Sequence, residues 1–365
     1  MLAKELREMA CGRPLWIMLL ILCPLTGFSL FQAVSLYGEA SATALNSPAL
    51  ASALSPLDGV LVPTFGGFYV GVTLLFPFVA IRVLGHEKEA GALRLLIQLP
   101  YRTPTLIGAK LVAVFAAWLI AAVPAISALA IWEFMGGNLF VAETLNLVLG
   151  HLLYGLLVGA IALFAAALAE SAATAAIVTL GFTIGSWVID FAAASQPDLL
   201  GWSSRLSLTQ TLHTFELGLL SLSLVVGVLV AILGFAALAA IWLPMGVAVR
   251  TKLARSLVCV SATCIVLVAA TQVKWSADAT EDRRNSFSLA DQQALAQLSE
   301  QLTITVHLAP EDPRYVDLRT SILSKLERVF SRIVIRFAGD QQSVVGRPAT
   351  SRMVKWSTAM AADRP

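Results

Sequence analysis

Residues 60–84 read VLVPTFGGFYVGVTLLFPFVAIRVL, and Arg82 is the only charged residue among them. A helix needs about 20 mostly apolar residues to cross roughly 30 Å of hydrocarbon, which this stretch supplies. Six other stretches qualify or nearly qualify, and the last of them is the shortest: residues 15–37, 106–132, 145–168, 172–194, 217–243 and 257–273. The pattern predicts an all-α polytopic membrane protein with seven transmembrane helices.

Composition supports this class. The chain of 365 residues is 58% hydrophobic and only 13% charged, whereas soluble proteins carry roughly 25% charged residues. So few polar groups cannot cover the outside of a soluble protein, so we expect a lipid membrane around much of the chain. The net charge of +2 is too small to indicate nucleic acid as a partner.

Basic residues mark alternate connections between the predicted spans. They precede the first span and fill the second and sixth connections: Lys4, Arg7, Arg13, Arg82, Lys88, Arg94, Arg102, Lys110, Arg250, Lys252 and Arg255. The first, third and fifth connections carry Arg205 alone among basic residues. By the positive-inside rule the N-terminus is cytoplasmic, and seven spans then place the C-terminal portion outside. We predict a multi-pass protein of the cell (inner) membrane, whose first apolar run is too long for a signal peptide and stays as a span.

The chain turns polar after Gln272. Ser288 and Asp291 form a capping box that opens a helix to about residue 301. A strand, a helix with proline at its first position, and a second strand follow at 303–308, 313–330 and 332–337. We predict a small extracytoplasmic β-α-β unit within 274–338 and a disordered or truncated tail at 339–365.

Several kinds of site are missing from the sequence. Nothing matches the phosphate-binding loop GxxxxGK[ST], HExxH or GxSxG, so the chain is not predicted to be an enzyme. The four histidines lie in four different regions and the four cysteines form no CxxC pair, so no metal or zinc site is expected. Asp190 and Glu170 sit at the ends of predicted spans, and almost no other ionisable residue lies inside one. This argues against an ion-coupled transporter.

Three GxxxG pairs fall inside predicted spans: Gly67 and Gly71, Gly155 and Gly159, and Gly181 and Gly185. Such pairs let two helix backbones approach closely. Helix packing is the role they predict, although a membrane chain rich in glycine and alanine also produces such pairs by chance.

The second connection is the most informative stretch. Residues 82–104 read RVLGHEKEAGALRLLIQLPYRTP. Apolar Leu93, Leu96 and Ile97 share one helical face, whereas Glu87, Lys88, Glu89 and Arg94 form a charged one. We predict a short cytoplasmic amphipathic helix over about 86–100, which Pro100 and Pro104 terminate. Such a helix either lies in the membrane interface or docks into a groove on a soluble partner.

The same stretch resembles the signature of type-2 ABC exporter permeases. The matching residues are EKEAGALRLL at 87–96, Leu99-Pro100 and Gly108-Ala-Lys110; the family places Gly and Lys side by side, so one residue is inserted here. The resemblance covers 1–249 and implies a six-span permease domain that acts as a homodimer or with a paired permease. It further implies a separate cytoplasmic ABC ATPase subunit that binds ATP and magnesium, so this chain needs no cofactor. The candidate coupling residues are Glu87, Glu89, Gly91, Leu95 and Leu96.

The C-terminal part is similar to a second family, the gliding-motility-type ABC auxiliary protein. The residues that carry this likeness are DATEDRRNSFSL at 278–289 and LTITVHL at 302–308, while HTFELG at 213–218 resembles the permease partner of that system. This implies a seventh span at 250–273 followed by the start of an extracytoplasmic domain that is several times longer in the family. We expect a permease subunit that moves an unidentified substrate; the alternative is a membrane scaffold or assembly factor with an extracytoplasmic partner-binding domain.

Overall fold

A computed structural model describes residues 2–46, 54–98, 102–195, 207–244, 246–273, 275–287, 289–296, 302–307, 318, 322–323, 325–326 and 333–337. This part of the chain contains seven helices that are long and apolar enough to cross a membrane. We call them spans 1 to 7: Arg13–Ala44, Leu57–Glu89, Thr103–Phe134, Val141–Leu168, Ala172–Ser195, Leu222–Trp242 and Val249–Ala270. The predicted all-α polytopic class is confirmed.

Four shorter helices and four short strands complete the described elements. The helices are Leu2–Ala10, Ala92–Gln98, Leu208–Glu216 and Leu289–Ala296. The strands are β1 (Leu219–Ser221), β2 (Ser276–Asp278), β3 (Leu302–Val306) and β4 (Ile333–Phe337). The chain divides into two compact units, one ending at Asn285 and one beginning at Ser286.

Spans 2 and 4 form the centre of the first unit. In their most apolar windows 61% and 72% of the residues are buried, against 6% for span 7. Span 4 can be buried on all sides because apolar and small residues surround its axis, as in GLLVGAIALFAAA at 155–167. Span 7 packs mainly on span 6, so most of its apolar surface is left for lipid.

Two spans are irregular, and prolines accompany both irregularities. Span 2 begins with a π-helical turn at Leu57–Leu61 and continues as an α-helix at Val62–Glu89, where Pro63 lies in the first turn. Span 3 consists of the helices Thr103–Ala121 and Val123–Phe134, which meet at Ala122. Pro124 has no backbone N–H and cannot continue the hydrogen-bond ladder across this break.

Two predicted boundaries were wrong. The sixth span was expected to begin at Leu217, but Gly218 adopts φ +78° and strand β1 precedes span 6. The apolar run placed the start of the seventh span at Leu257, but its helix starts at Val249, one residue before the start of the span 250–273 that the second resemblance implies. It therefore includes the basic residues that the prediction placed in a loop. Long basic side chains at a helix end can extend toward water, so charge alone does not end a span.

The connections between spans lie at the two ends of the bundle. We call the basic end the one with the N-terminal helix and connections 2–3, 4–5 and 6–7; Glu5 meets Lys110 there, and Lys88 meets the end of span 4. We call the opposite end the acidic end. It carries connections 1–2, 3–4 and 5–6 and the chain that follows span 7.

The second unit contains a pair of parallel strands. β3 and β4 run in register from Leu302 opposite Ile333 to Val306 opposite Phe337, close to the predicted strand positions. Val306 packs with the buried Leu323. The connecting helix predicted at 313–330 falls largely outside the described residues, and the tail at 339–365 falls wholly outside them.

Candidate functional site

Span 2 extends into the region predicted as a separate coupling helix. Its helix continues through Glu89, and the chain then turns at Gly91, which has φ +71°. A new helix runs from Ala92 to Gln98. Glycine adopts this left-handed conformation without strain and commonly ends helices. The single helix predicted over about 86–100 is therefore corrected to two, while residues 99–101 lie outside the described residues.

Glu87 points into the protein rather than toward solvent. It is 4% exposed, and its Oε2 lies 2.6 Å from Nζ of Lys110, which is fully buried. Lys110 also donates hydrogen bonds to Glu5 Oε1 at 3.2 Å and to the carbonyl of Val83 at 2.7 Å. We call Glu5, Glu87 and Lys110 the ionic cluster. It joins the N-terminal helix, span 2 and span 3 through one buried cation.

The ionic cluster holds two carboxylates against one buried lysine. Burial raises the pKa of Glu5, the nearby carboxylate of Glu87 raises it further, and Lys110 only partly opposes these effects. Lys4 adds a peripheral contact, because its half-exposed Nζ lies 3.6 Å from Glu87 Oε1. A cavity of about 140 Å³ borders Glu5 and Glu87. The arrangement is thus sensitive to the loss of its central cation.

Lys88 ties span 2 to span 4. Its ammonium group donates hydrogen bonds to the carbonyls of Ala166 at 3.1 Å and Ala167 at 3.0 Å, and to that of Ala169. These carbonyls belong to the last turn of span 4, where helix ends carry unpaired acceptors and a partial negative charge. Lys88 therefore caps a neighbouring span, although the sequence placed it on an exposed charged face.

The helix Ala92–Gln98 has one anchored side and one open side. Leu93 is 1% exposed and belongs to the apolar core, whereas Leu95 is 68% exposed. Leu96 is half-buried, and Glu89 and Gly91 are exposed at the preceding turn. Of the five predicted coupling residues, Glu89, Gly91 and Leu95 thus face outward, while Glu87 can act only through the ionic cluster.

Glycines permit close approach of spans 1 and 2. A Cβ placed on Gly67 would lie 2.1 Å from Ser29 Oγ, and one on Gly71 would lie 3.1 Å from a methyl carbon of Leu22. Both neighbours belong to span 1. Any larger residue at position 67 would force the two helices apart.

A second glycine pair lets spans 3 and 4 approach closely, and the third pair has open space beside it in the described part of the chain. A Cβ on Gly155 would lie 2.0 Å from the indole nitrogen of Trp118, and one on Gly159 would lie 2.5 Å from Val114. At Gly181 and Gly185 the corresponding position has no heavy atom within 4 Å, apart from the glycine, its chain neighbours and the nearby backbone of its own helix. The described structure therefore gives this third pair no packing role within the chain.

Span 4 also buries polar groups that sequence analysis did not place inside the bundle. His151 is 2% exposed; its ring stacks edge-on with Phe65, and its Nε2 lies 3.9 Å from Glu216. The hydroxyls of Tyr154 and Thr73 share a hydrogen bond of 2.7 Å. Both His151 and Tyr154 lie inside the span predicted at 145–168, so the expectation that almost no ionisable residue lies inside a span was wrong.

Sequence reasoning singled out Glu87 but missed its partners Glu5 and Lys110. A usable signal existed, since Lys110 is a lone charge eight residues into the helix of span 3 and needs a buried anion. The described residues contain no group of three or more histidine, cysteine, aspartate or glutamate side chains that could hold a metal ion. Comparisons of the chain with protein-family models, with curated proteins and with solved structures found no match.

Proposed function

We propose that this chain is the transmembrane permease subunit of an ATP-binding cassette transporter, working as a homodimer or with a paired permease. A separate cytoplasmic ATPase subunit would supply the energy. The single observation that carries this proposal is the helix Ala92–Gln98, which Leu93 anchors to the core while Leu95 stays exposed. Such a surface suits docking into a groove of a soluble protein.

The anchoring contacts fit a role in transmitting force. The helix Ala92–Gln98, which we call the docking helix, follows span 2 directly. The ionic cluster joins span 2 to span 3 through Glu87 and Lys110. Lys88 joins span 2 to span 4. A partner that pushes on the docking helix would therefore move three spans together, which is what a permease needs in order to change the exposure of a path through the membrane.

The experiment uses the full chain, tagged and purified in detergent from membranes of its own cells. We expect an ATP-binding cassette ATPase to be retained, identified by mass spectrometry, with Mg-ATP hydrolysis in the eluate. Leu95→Asp should abolish retention by placing a charge in the apolar contact. Leu45→Asp is the matched control, because Leu45 is 88% exposed at the acidic end, and it should retain the ATPase fully.

The proposal fails if the unaltered chain retains no such ATPase, or if Leu95→Asp retains it undiminished. Retention of other membrane or extracytoplasmic proteins without an ATPase would favour the scaffold alternative. Glu89→Arg adds a second reading at the same surface, since Glu89 is exposed. It should lower the rate of ATP hydrolysis while leaving the melting temperature close to that of the unaltered chain.

We further propose that the basic end faces the cytoplasm and that the second unit is an extracytoplasmic α/β domain. The support is the positive-inside rule applied to connections 2–3 and 6–7. In a chain freed of its own cysteines, Asp282→Cys should react with a membrane-impermeant maleimide in intact cells. Glu89→Cys should react only after permeabilisation, and the reverse pattern would overturn this orientation.

A further inference from the structure

Beyond span 7 the chain turns back onto the acidic end of the bundle. β2 pairs antiparallel with β1, from Ser276 opposite Ser221 to Asp278 opposite Leu219. The pairing extends at both ends: the Leu222 N–H donates to the carbonyl of Trp275 at 3.1 Å, and the Ala279 N–H donates to that of Gly218 at 2.9 Å. Backbone bonds thus fix this stretch against connection 5–6.

The residues after β2 form a compact loop around the side chain of Asp278. Its carboxylate accepts hydrogen bonds from the hydroxyl of Thr280 at 2.6 Å and from the backbone N–H of Asn285 at 2.9 Å. The Thr280 hydroxyl accepts one from the backbone N–H of Arg284 at 3.0 Å. Thr280 is 3% exposed. The loop therefore presents Arg284 and Asn285 in a defined direction.

Side chains of this loop contact the first turns of spans 2 and 4 and connection 5–6 at the acidic end. Arg284 pairs with Asp58 at the start of span 2 and with Glu143 Oε1, at 3.3 Å, in the first turn of span 4. Asn285 Nδ2 donates to the carbonyl of Leu217 in connection 5–6 at 2.6 Å. Two adjacent residues thus bridge the first turns of spans 2 and 4 and connection 5–6.

Charge complementarity supports the contact. Glu143 is 5% exposed, so it needs a cationic partner close by. The described residues of connections 1–2, 3–4 and 5–6 include no lysine or arginine. Arg284 supplies the positive charge from beyond span 7.

We infer that Trp275–Asn285 is a docking segment, which the acidic end of the six-span bundle binds as a specific intramolecular ligand. Binding clamps the first turns of spans 2 and 4 and connection 5–6 together. Arg284 is the positioning residue, and Asp58 and Glu143 are its receptors. The inference rests on these contacts and not on the proposed transport function.

The test measures whether the docking segment releases while the bundle stays folded. In the cysteine-free full chain, Thr280→Cys reports on docking, since this side chain is 3% exposed in the bound segment and a thiol keeps a weak donor and a weak acceptor for the hydrogen bonds of the loop. Asp282→Cys, an exposed position in the same loop, gives the rate of a fully accessible thiol. Thr64→Cys, 1% exposed inside span 2, reports on unfolding of the bundle. The readout is the rate of reaction with a water-soluble maleimide.

We expect Thr280→Cys to react much more slowly than Asp282→Cys. Adding Arg284→Ala should raise its rate about ten- to hundredfold, which corresponds to the loss of hydrogen bonds to charged groups. Arg283→Ala is the control, because the adjacent arginine is exposed and contributes none of the bridging contacts described above; it should leave the rate unchanged. Asp58→Asn should give a smaller increase, since Glu143 would remain.

Equal rates for Thr280→Cys and Asp282→Cys in the unaltered background would overturn the inference. So would an Arg284→Ala chain in which Thr280→Cys stays slow. If Arg284→Ala instead exposes Thr64→Cys to the same extent, the arginine is part of general bundle stability and the segment is not a separable ligand.

Discussion

Replacing Lys110 should lower the stability of the bundle, because it removes the buried cation of the ionic cluster. Lys110→Met keeps a long unbranched side chain of similar volume, so the change in packing is small. It removes the cation that lies 2.6 Å from Glu87 and 3.2 Å from Glu5. Two buried carboxylates then face each other without a central counterion.

The expected cost follows from the burial of all three groups. Removing one partner of a buried ion pair costs about 3–5 kcal/mol. A buried carboxylate without a counterion can bind a proton instead of staying charged, so the free energy of protonating it is an upper bound on its cost. Keeping a glutamate protonated at about pH 7, roughly 2.7 units above its reference pKa, costs about 3.7 kcal/mol at about 1.36 kcal/mol per unit. At about 2 °C per kcal/mol for a chain of this size, the melting temperature should fall by roughly 6–10 °C.

Thermal unfolding of the detergent-solubilised protein, followed by size-exclusion of the surviving fraction, measures this loss. Lys4→Met is the matched control, because Lys4 is 52% exposed and lies 3.6 Å from Glu87; an exposed pair contributes about 0–1 kcal/mol. The loss in Lys110→Met should shrink as pH falls toward 5, where protonating a carboxyl costs less. Adding Glu5→Gln and Glu87→Gln should restore most of the stability.

A Lys110→Met chain no less stable than Lys4→Met would refute the reasoning. A large loss that neither low pH nor the two glutamine substitutions reverse would refute it as well, since it would show that packing rather than charge is at stake.

Three other predictions concern the helix contacts and the ionic cluster. Gly155→Ala should destabilise the bundle by about 1–3 kcal/mol through overpacking against Trp118, while Gly181→Ala, which meets no neighbour, should have no such effect in the same melting assay. Lys88→Met leaves three carbonyls without their donor and should lower stability by about 1–3 kcal/mol, measured by the same method. Glu5→Gln should stabilise the protein near neutral pH: burial raises the pKa of Glu5 in the folded state, so its contribution to stability falls as pH rises through that pKa. The gain in stability from Glu5→Gln should therefore shrink as pH is lowered. A gain that grows at lower pH would show that the pKa of Glu5 is not raised in the folded state.

Hydropathy was enough to locate the spans because lipid leaves few alternatives for a long apolar stretch. Their ends were not readable in the same way. Glu87 lies beyond the apolar run of span 2 and is still helical because the buried Lys110 of span 3 neutralises it. A single sequence does not show which distant charges will meet. Strand β1 was missed for a related reason: two of its three residues, Leu219 and Leu220, are apolar like the span that follows, and only pairing with β2 distinguishes the strand.

The candidate site was predictable in outline only. The residues EKEAG do mark the place where span 2 ends and a short helix begins. The alternating charges of residues 87–89 did not show which way each side chain points. Glu87 faces the core, Lys88 faces span 4, and Glu89 faces solvent. Three consecutive residues of a helix point about 100° apart, so they necessarily address three different surroundings.

The grip of Lys88 on the last turn of span 4 has a mechanical consequence. If the end of span 2 had no contact with another span, it could bend without moving the rest of the bundle. Three hydrogen bonds from the Lys88 ammonium group instead hold the end of span 2 against the end of span 4, which is the most buried of the seven spans. If a partner displaces the chain at Gly91, as proposed above, we expect the end of span 4 to move together with the end of span 2.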